Sequence, residues 1–123
     1  TAALRSVATK GTAAGVFANF PINVAGKTGT GQVLGRNSNG TAKDDTSWFA
    51  SFAPIGKPQY AVVMMVSQGG FGASVSAVGV KDIYSAIYGV TGSTVDPKKA
   101  IFKSSGPVYS IPTIDPKNAK LPK

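Results

Sequence analysis

Apolar and polar positions along the chain predict a helix, three strands and a second helix. Over Ala2–Lys10 the apolar residues recur at helical spacing, and a glycine follows where helices often end. Three segments rich in β-branched and aromatic residues then predict strands. These strands span Ile22–Val33, Ser47–Ala53 and Tyr60–Val66. Ser74 can cap the second helix, whose apolar positions share one face as far as Gly89.

The predicted strands are joined by short connections, which favour an antiparallel meander with both helices on one face. Tyr60–Val66 is apolar at nearly every position, which predicts burial on both faces and a central place in the sheet. Trp48 is expected in the core, with the wall of a groove as the alternative. The pattern therefore predicts a mixed α/β (α+β) fold, an antiparallel sheet covered by helices.

The composition changes near Val90, so the chain is expected to divide into residues 1–89 and a tail, residues 90–123. The tail contains five of the eight prolines and six lysines, and such a segment builds no core of its own. Several apolar tail residues can still attach part of it to the body. They are Ile101, Phe102, Val108, Tyr109 and Ile111.

The formal net charge is +8, but the basic residues before Val90 are scattered, so no nucleic-acid partner is expected. No stretch reaches the roughly 18 apolar residues of a membrane span, so any membrane anchor is expected outside this chain. The chain contains no histidine and no cysteine. Their absence excludes His-dependent catalysis, a His-ligated metal, disulfides and thiol chemistry within these residues, and no metal site is predicted.

A Lys-Thr-Gly segment on the first predicted strand carries the candidate chemistry. Lys27 stands among small residues, where its ammonium can project into a cleft. The hydroxyls of Thr28 and Thr30 can donate to an anionic group held there. Gly26 and Gly29 let the backbone of a ligand lie against the strand. These properties fit a site for an extended peptide that bears a carboxylate, although the triplet alone also fits a surface turn.

The Lys-Thr-Gly triplet occurs in an ordered series of short motifs. The others are Gly11–Ala13, Phe20–Pro21, Thr46–Pro54 and Gln68–Gly72. This order over residues 1–89 resembles the class B penicillin-binding proteins, particularly the penicillin-binding protein 2 group of Gram-positive, actinobacterial type. The resemblance implies the transpeptidase fold shared with β-lactamases, of which this chain would be the C-terminal portion.

The resemblance also implies a role for each residue of the motif. Lys27 would be catalytic by supplying positive charge to the groove. Thr28 and Thr30 would bind the carboxylate of the D-Ala-D-Ala stem peptide or of a β-lactam, and the backbone N–H of Thr30 would form half of the oxyanion hole. Gly26 and Gly29 would belong to the substrate-binding strand, and no cofactor is implied.

The implied function is that of a peptidoglycan D,D-transpeptidase, which cross-links stem peptides through a serine acyl-enzyme and is inhibited covalently by β-lactams. Neither Ser-x-x-Lys nor Ser-x-Asn occurs in the chain, so both are expected on an upstream fragment of the same protein. The expected location is the extracytoplasmic face of the bacterial membrane. A β-lactamase or D,D-carboxypeptidase-type hydrolase and a non-catalytic β-lactam-sensing domain are the alternatives.

Overall fold

The computed structural model of the protein describes residues 1–102. Its first elements are helix α1, Ala2–Thr9, and the short helix α2, Ala14–Phe17. Three strands follow, β1 (Ala25–Gly31), β2 (Thr46–Ala53) and β3 (Tyr60–Val66). Helix α3, Ser76–Tyr88, leads to the short strands β4 (Val90–Thr91) and β5 (Thr94–Val95) and to a 3₁₀ helix, Pro97–Lys99.

The predicted antiparallel meander is present, with strand order β1-β2-β3. In its register Gly29 pairs with Trp48, which pairs in turn with Met65. Side chains alternate between the two faces along each strand, so these three residues share one face. The mixed helix and antiparallel-sheet fold predicted from the sequence is confirmed.

The helices cover the opposite face of the sheet, where Phe49 of β2 is fully buried. Its ring stacks on that of Phe17 from α2, with ring centroids 5.7 Å apart. Val80 and Tyr84 of α3 belong to the same buried cluster. Burying one such side chain contributes about 1.5–3 kcal/mol, so these contacts fix the helices to the sheet. The prediction that the helices share one face is confirmed.

The other face of the sheet is not covered by the described residues. Trp48, Val63 and Met65 are 42%, 62% and 53% exposed on this open face. Exposed and partly buried residues alternate along β3, which is an edge strand of the described sheet. Within residues 1–102, Tyr60–Val66 is partly buried on one face only and Trp48 does not lie in the core. Burial of the strand on both faces stays a prediction for the full polypeptide. Apolar composition predicts that a strand is covered without indicating which part of a protein covers it.

Helix α3 ends where the sequence predicts, but it begins at a different residue. The helix ends as predicted at Gly89, which has the left-handed φ of 67° that favours glycine. Ser74 does not cap its start, because the helix begins at Ser76 without a side-chain cap. Instead, the N–H of Ser76 donates to the hydroxyl of Ser47 on β2 at 3.1 Å. A residue distant in sequence thus replaces the expected local cap.

Beyond α3 the chain packs back on the body as far as the described residues extend. The N–H of Ile101 donates to the carbonyl of Ala86, and the Phe102 ring stacks on Tyr60 with centroids 5.8 Å apart. Attachment of the tail through these two residues is confirmed, whereas the boundary at residue 90 stays a prediction. The expected contacts of Val108, Tyr109 and Ile111 lie outside the described residues. No helix within residues 1–102 has the length and apolar character needed to cross a membrane.

Candidate active site

Strand β1 carries the Lys-Thr-Gly triplet at one edge of the described sheet, where its only strand partner among residues 1–102 is β2. Strand alternation places Lys27 on the open face, and its side chain is exposed. Thr28 and Thr30 lie on the other face. The lysine and the two threonines are therefore brought together along one strand but project to different sides of it.

The ammonium group of Lys27 remains close to its own strand. Its Nζ donates to the carbonyl oxygen of Thr28 at 2.7 Å, a charge-assisted hydrogen bond. Because the carbonyl is a neutral acceptor, the positive charge of the lysine is not neutralised by this contact. The arrangement presents a cation beside the backbone of β1.

The two threonine hydroxyls have different surroundings. Thr28 is only 7% exposed, and its Oγ1 lies 2.8 Å from Oγ1 of Thr12. Thr30 is exposed, and its Oγ1 accepts a hydrogen bond from the N–H of Gly72 at 3.4 Å. Each hydroxyl therefore has one partner contributed by a turn that precedes or follows the three-stranded sheet.

The two glycines predicted to bind substrate meet different neighbours. A Cβ at Gly26 would lie 2.7 Å from the ring of Phe49 and 2.7 Å from the carbonyl oxygen of Ala50. Gly26 is buried, so packing of the core already requires glycine at this position. At Gly29 an added Cβ would lie 3.2 Å from the Cβ of Trp48 on the open face. Contact of either glycine with a substrate stays a prediction.

Sequence reasoning did not assign Thr12 or Gly72 to the site. Gly72 crosses closely over the sheet, because a Cβ there would overlap the Gly29 carbonyl oxygen and lie 2.7 Å from that of Trp48. The cluster of glycines before α3 signalled close backbone packing, but not the strand on which it packs. Thr12 gave no sequence signal beyond its place in the ordered series of motifs. Both residues enter the site through tertiary contacts.

Two tyrosines with a raised pKa lie on α3, away from this strand. Burial raises the pKa of Tyr84, and burial together with the nearby Tyr84 and Tyr60 raises that of Tyr88 to about 12. A cavity of about 590 Å³ adjoins Tyr60 and Tyr88, and Lys27 does not line it. No acidic cluster suited to a metal ion occurs in the described part of the chain. Strand β1 therefore presents an exposed cation on one face of the sheet and two hydroxyls on the other.

The chain is similar to known proteins in both sequence and structure. Over 76 residues the chain is 37% identical to the peptidoglycan D,D-transpeptidase MrdA of Escherichia coli K12, covering 55% of this chain and 12% of MrdA. The MrdA protein of Escherichia coli O157:H7 matches equally well. A crystal structure of Pseudomonas aeruginosa PBP2 in complex with WCK 5153 matches with a TM-score of 0.63 and 32% identity. That match covers 85% of this chain and 20% of the PBP2 chain.

The chain thus spans only a small part of the length of these relatives. Within the chain, however, the match to the family described as "Penicillin binding protein transpeptidase domain" covers residues 1–85. This range includes α1, the entire three-stranded sheet and most of α3. The resemblance to a penicillin-binding protein 2-like transpeptidase domain is confirmed. The chain belongs to the penicillin-binding protein transpeptidase domain family.

Proposed function

We propose that this chain is part of a peptidoglycan D,D-transpeptidase and supplies the Lys-Thr-Gly strand of its active site. The observation that carries the proposal is the position of Lys27, whose ammonium lies 2.7 Å from the Thr28 carbonyl on the edge strand of the described sheet. An edge strand can accept an extended peptide as an additional strand, and a cation beside it can hold the terminal carboxylate of that peptide. The transpeptidase relatives, MrdA above all, support the same function.

The reaction is an acyl transfer in two steps. A serine outside this chain attacks the carbonyl of the penultimate D-Ala of a stem peptide, and the peptide bond to the last D-Ala breaks. The released D-Ala leaves with the proton given up by the serine. An amine of a second stem peptide then attacks the acyl-enzyme ester. The amide bond of the cross-link forms, the ester bond to the serine breaks, and the serine oxygen takes up the proton given up by the amine. The reaction needs no cofactor, and a β-lactam would acylate the same serine.

In this proposal Lys27 supplies positive charge to the groove, and the hydroxyls of Thr28 and Thr30 bind the substrate carboxylate. The backbone N–H of Thr30 donates to the oxygen that becomes negative in the tetrahedral intermediate. A fixed donor of this kind contributes about 10²- to 10³-fold in rate. The exposure of Lys27 and Thr30 supports these roles, and Gly29 keeps side-chain bulk away from the open face.

The remainder of the enzyme is proposed to lie upstream of this C-terminal portion and to carry Ser-x-x-Lys, Ser-x-Asn and a membrane anchor. The active site would then face outward from the bacterial membrane. The short span of the relatives that this chain covers and the exposed apolar residues Val63 and Met65 support such a partner. The ordered motifs also suggest a Gram-positive, actinobacterial source, for which the Escherichia coli and Pseudomonas relatives provide no support.

The test is covalent labelling of the full polypeptide that contains these residues. We expect a labelled penicillin to form a stable adduct on a serine outside residues 1–123, located by mass spectrometry of proteolytic peptides. Incubation with a D-Ala-D-Ala peptide and an acceptor amine should then yield a cross-linked product with release of D-Ala. An adduct on a serine of this chain, or the absence of any adduct, would overturn the proposal. Hydrolysis without cross-linking would instead favour the carboxypeptidase alternative.

A further inference from the structure

The turn between α1 and α2 holds Thr12 at a fixed place beside β1. Gly11 packs closely on α1, since a Cβ there would lie 2.9 Å from the Cα of Val7. On the other side, Ala13 is fully buried and its N–H donates to the carbonyl of Val7 at 3.1 Å. The backbone on both sides of Thr12 is therefore anchored to the same helix, which fixes the position from which its exposed side chain projects.

From this turn the Thr12 hydroxyl reaches Thr28, with 2.8 Å between the two Oγ1 atoms. Each hydroxyl has a single proton, so only one of the pair donates to the other. If Thr28 donates to Thr12, its proton cannot serve a bound anion. If Thr12 donates to Thr28, the proton of Thr28 is free to point toward that anion.

The hydroxyl of the neighbouring Thr30 also has a partner from a turn, but this partner is a backbone N–H and can only donate. Its Oγ1 accepts from the N–H of Gly72, so its own proton is free for another acceptor. Thr12 occupies the corresponding position for Thr28, but as a hydroxyl it can reverse direction. An anion near Thr28 would favour the arrangement in which Thr12 donates, because linked hydrogen bonds polarise and strengthen one another.

We propose that Thr12 is a positioning residue of the transpeptidase, which donates to the Thr28 hydroxyl and thereby orients the Thr28 proton toward the substrate carboxylate. This inference rests on the proposed function, in which Thr28 binds that carboxylate. Thr12 itself does not touch the substrate. Its effect should therefore appear with ligands that carry the carboxylate and disappear with those that lack it.

The experiment compares acylation of the full polypeptide by benzylpenicillin with acylation by its methyl ester, in which the carboxylate is masked. Thr12→Val replaces the hydroxyl with a methyl of similar size, and we expect it to slow acylation by the acid about 3- to 10-fold, as loss of one hydrogen bond implies. The rate with the ester should not change. Thr12→Ser retains the hydroxyl and should restore the rate with the acid.

A second set of variants tests whether Thr12 affects acylation through Thr28. Thr28→Val should remove most of the preference for the acid, and adding Thr12→Val to it should cause no further loss. If Thr28→Val abolishes the preference and Thr12→Val leaves it unchanged, this inference alone is wrong. An unchanged preference in Thr28→Val would overturn the proposed role of Thr28 and the role of Thr12 with it.

A merely structural role for Thr12 would give a different pattern. It would lower the rates with acid and ester equally, and Thr12→Ser would not selectively restore the acid. Thermal unfolding of each variant shows whether it is folded. If Thr12→Val is poorly folded, the ratio of acid to ester rates in Thr12→Ala provides the same test, and an unchanged ratio there would overturn the inference.

Discussion

The ring of Phe49 fills the space beside Gly26 into which any side chain at that position would project, with 2.7 Å between the ring and an ideal Cβ. The carbonyl oxygen of Ala50 is equally close and belongs to the backbone of the paired strand. We therefore expect Gly26→Ala to destabilise the protein by about 1–3 kcal/mol through overpacking. Thermal or denaturant unfolding of the full polypeptide measures this change.

The matched control for Gly26→Ala is Gly15→Ala in α2. A Cβ at Gly15 would meet nothing within 4 Å. Alanine is favoured over glycine in a helix by up to about 1 kcal/mol, so this variant should be neutral or slightly stabilising. Equal stability of the two variants would contradict the packing role of Gly26.

Lys27→Ala is expected to slow acylation by penicillin at least about tenfold, because a lost charge-assisted contact costs about 1.5–3 kcal/mol. The side chain is exposed, so the melting temperature should change little. Lys57→Ala, in the exposed turn between β2 and β3, is the control and should leave the rate unchanged. An unchanged rate in folded Lys27→Ala would contradict the proposed role of Lys27 in acylation.

Ser47→Ala is expected to destabilise the contact between β2 and α3. The fully buried Ser47 hydroxyl accepts from the N–H of Ser76 and lies 2.7 Å from the Ser76 hydroxyl. Without it the buried N–H loses its partner, at a cost of about 1–3 kcal/mol. Exposed Ser67→Ala serves as the control, and similar unfolding midpoints for the two variants would show that the bond is unimportant.

The raised pKa of Tyr88 predicts a loss of stability at alkaline pH. Its pKa is about 12 in the folded protein against an ordinary value of 10.0. Well below pH 10.0 the phenol is neutral in both the folded and the unfolded state, so the stabilisation is complete. Between these values the unfolded chain ionises first, and stability falls. Unfolding midpoints measured across this range should therefore decrease.

Tyr88→Phe removes this ionisable group together with the hydrogen bond from its hydroxyl to the Ala53 carbonyl. The variant should be less stable at neutral pH but should lose less stability on passing through the alkaline range. Part of the slope should remain, because the pKa of Tyr84 is raised as well. A slope identical to that of the unchanged protein would rule out Tyr88 as its source.

The open face of the sheet predicts that residues 1–123 do not fold stably alone. Val63 and Met65 are more than half exposed, and β3 has one strand partner in the described part of the chain. We expect the isolated chain to show no cooperative thermal transition and weak amide-exchange protection over Tyr60–Val66. Strong protection there in the isolated monomer would contradict the prediction.

A polar substitution on this face tests whether another part of the full polypeptide covers it. Val63→Thr keeps the shape of the side chain and replaces a methyl with a hydroxyl. It should destabilise the full polypeptide by about 1–3 kcal/mol, because there the hydroxyl is buried without a partner. Unchanged stability of the full polypeptide would indicate that no other part of the protein covers Val63.

Local sequence patterns predicted most of the helices and strands, but they could not predict contacts between residues that are distant in sequence. Tyr60–Val66 has the predicted bounds because its apolar run is closed by polar and glycine-containing turns. The end of α3 follows from Gly89, which readily adopts a positive φ. The four residues of α2 are too few for a periodic signal. The start of α3 depends on Ser47, which lies nearly thirty residues earlier in the chain. A prediction based on nearby residues could therefore name only Ser74 as the cap.

In the candidate site, too, the sequence predicted the residue types but not the contacts between distant residues. Residue types identified Lys27 and the two threonines as a source of charge and hydroxyl donors. A strand was correctly predicted around them, but it spans Ala25–Gly31 rather than Ile22–Val33. Their distribution over two faces follows from strand alternation, but the partners Thr12 and Gly72 depend on how turns pack against the sheet. Those contacts cannot be predicted from a sequence pattern.

The alternation along β1 also limits how its gene segment can change. An inserted or deleted codon between Gly26 and Gly31 would exchange the faces of every residue on one side of the change. Lys27 would then project toward the helices, or Thr30 away from them, depending on where the codon fell. This strand can therefore accumulate substitutions over generations, whereas insertions and deletions within it should be disfavoured.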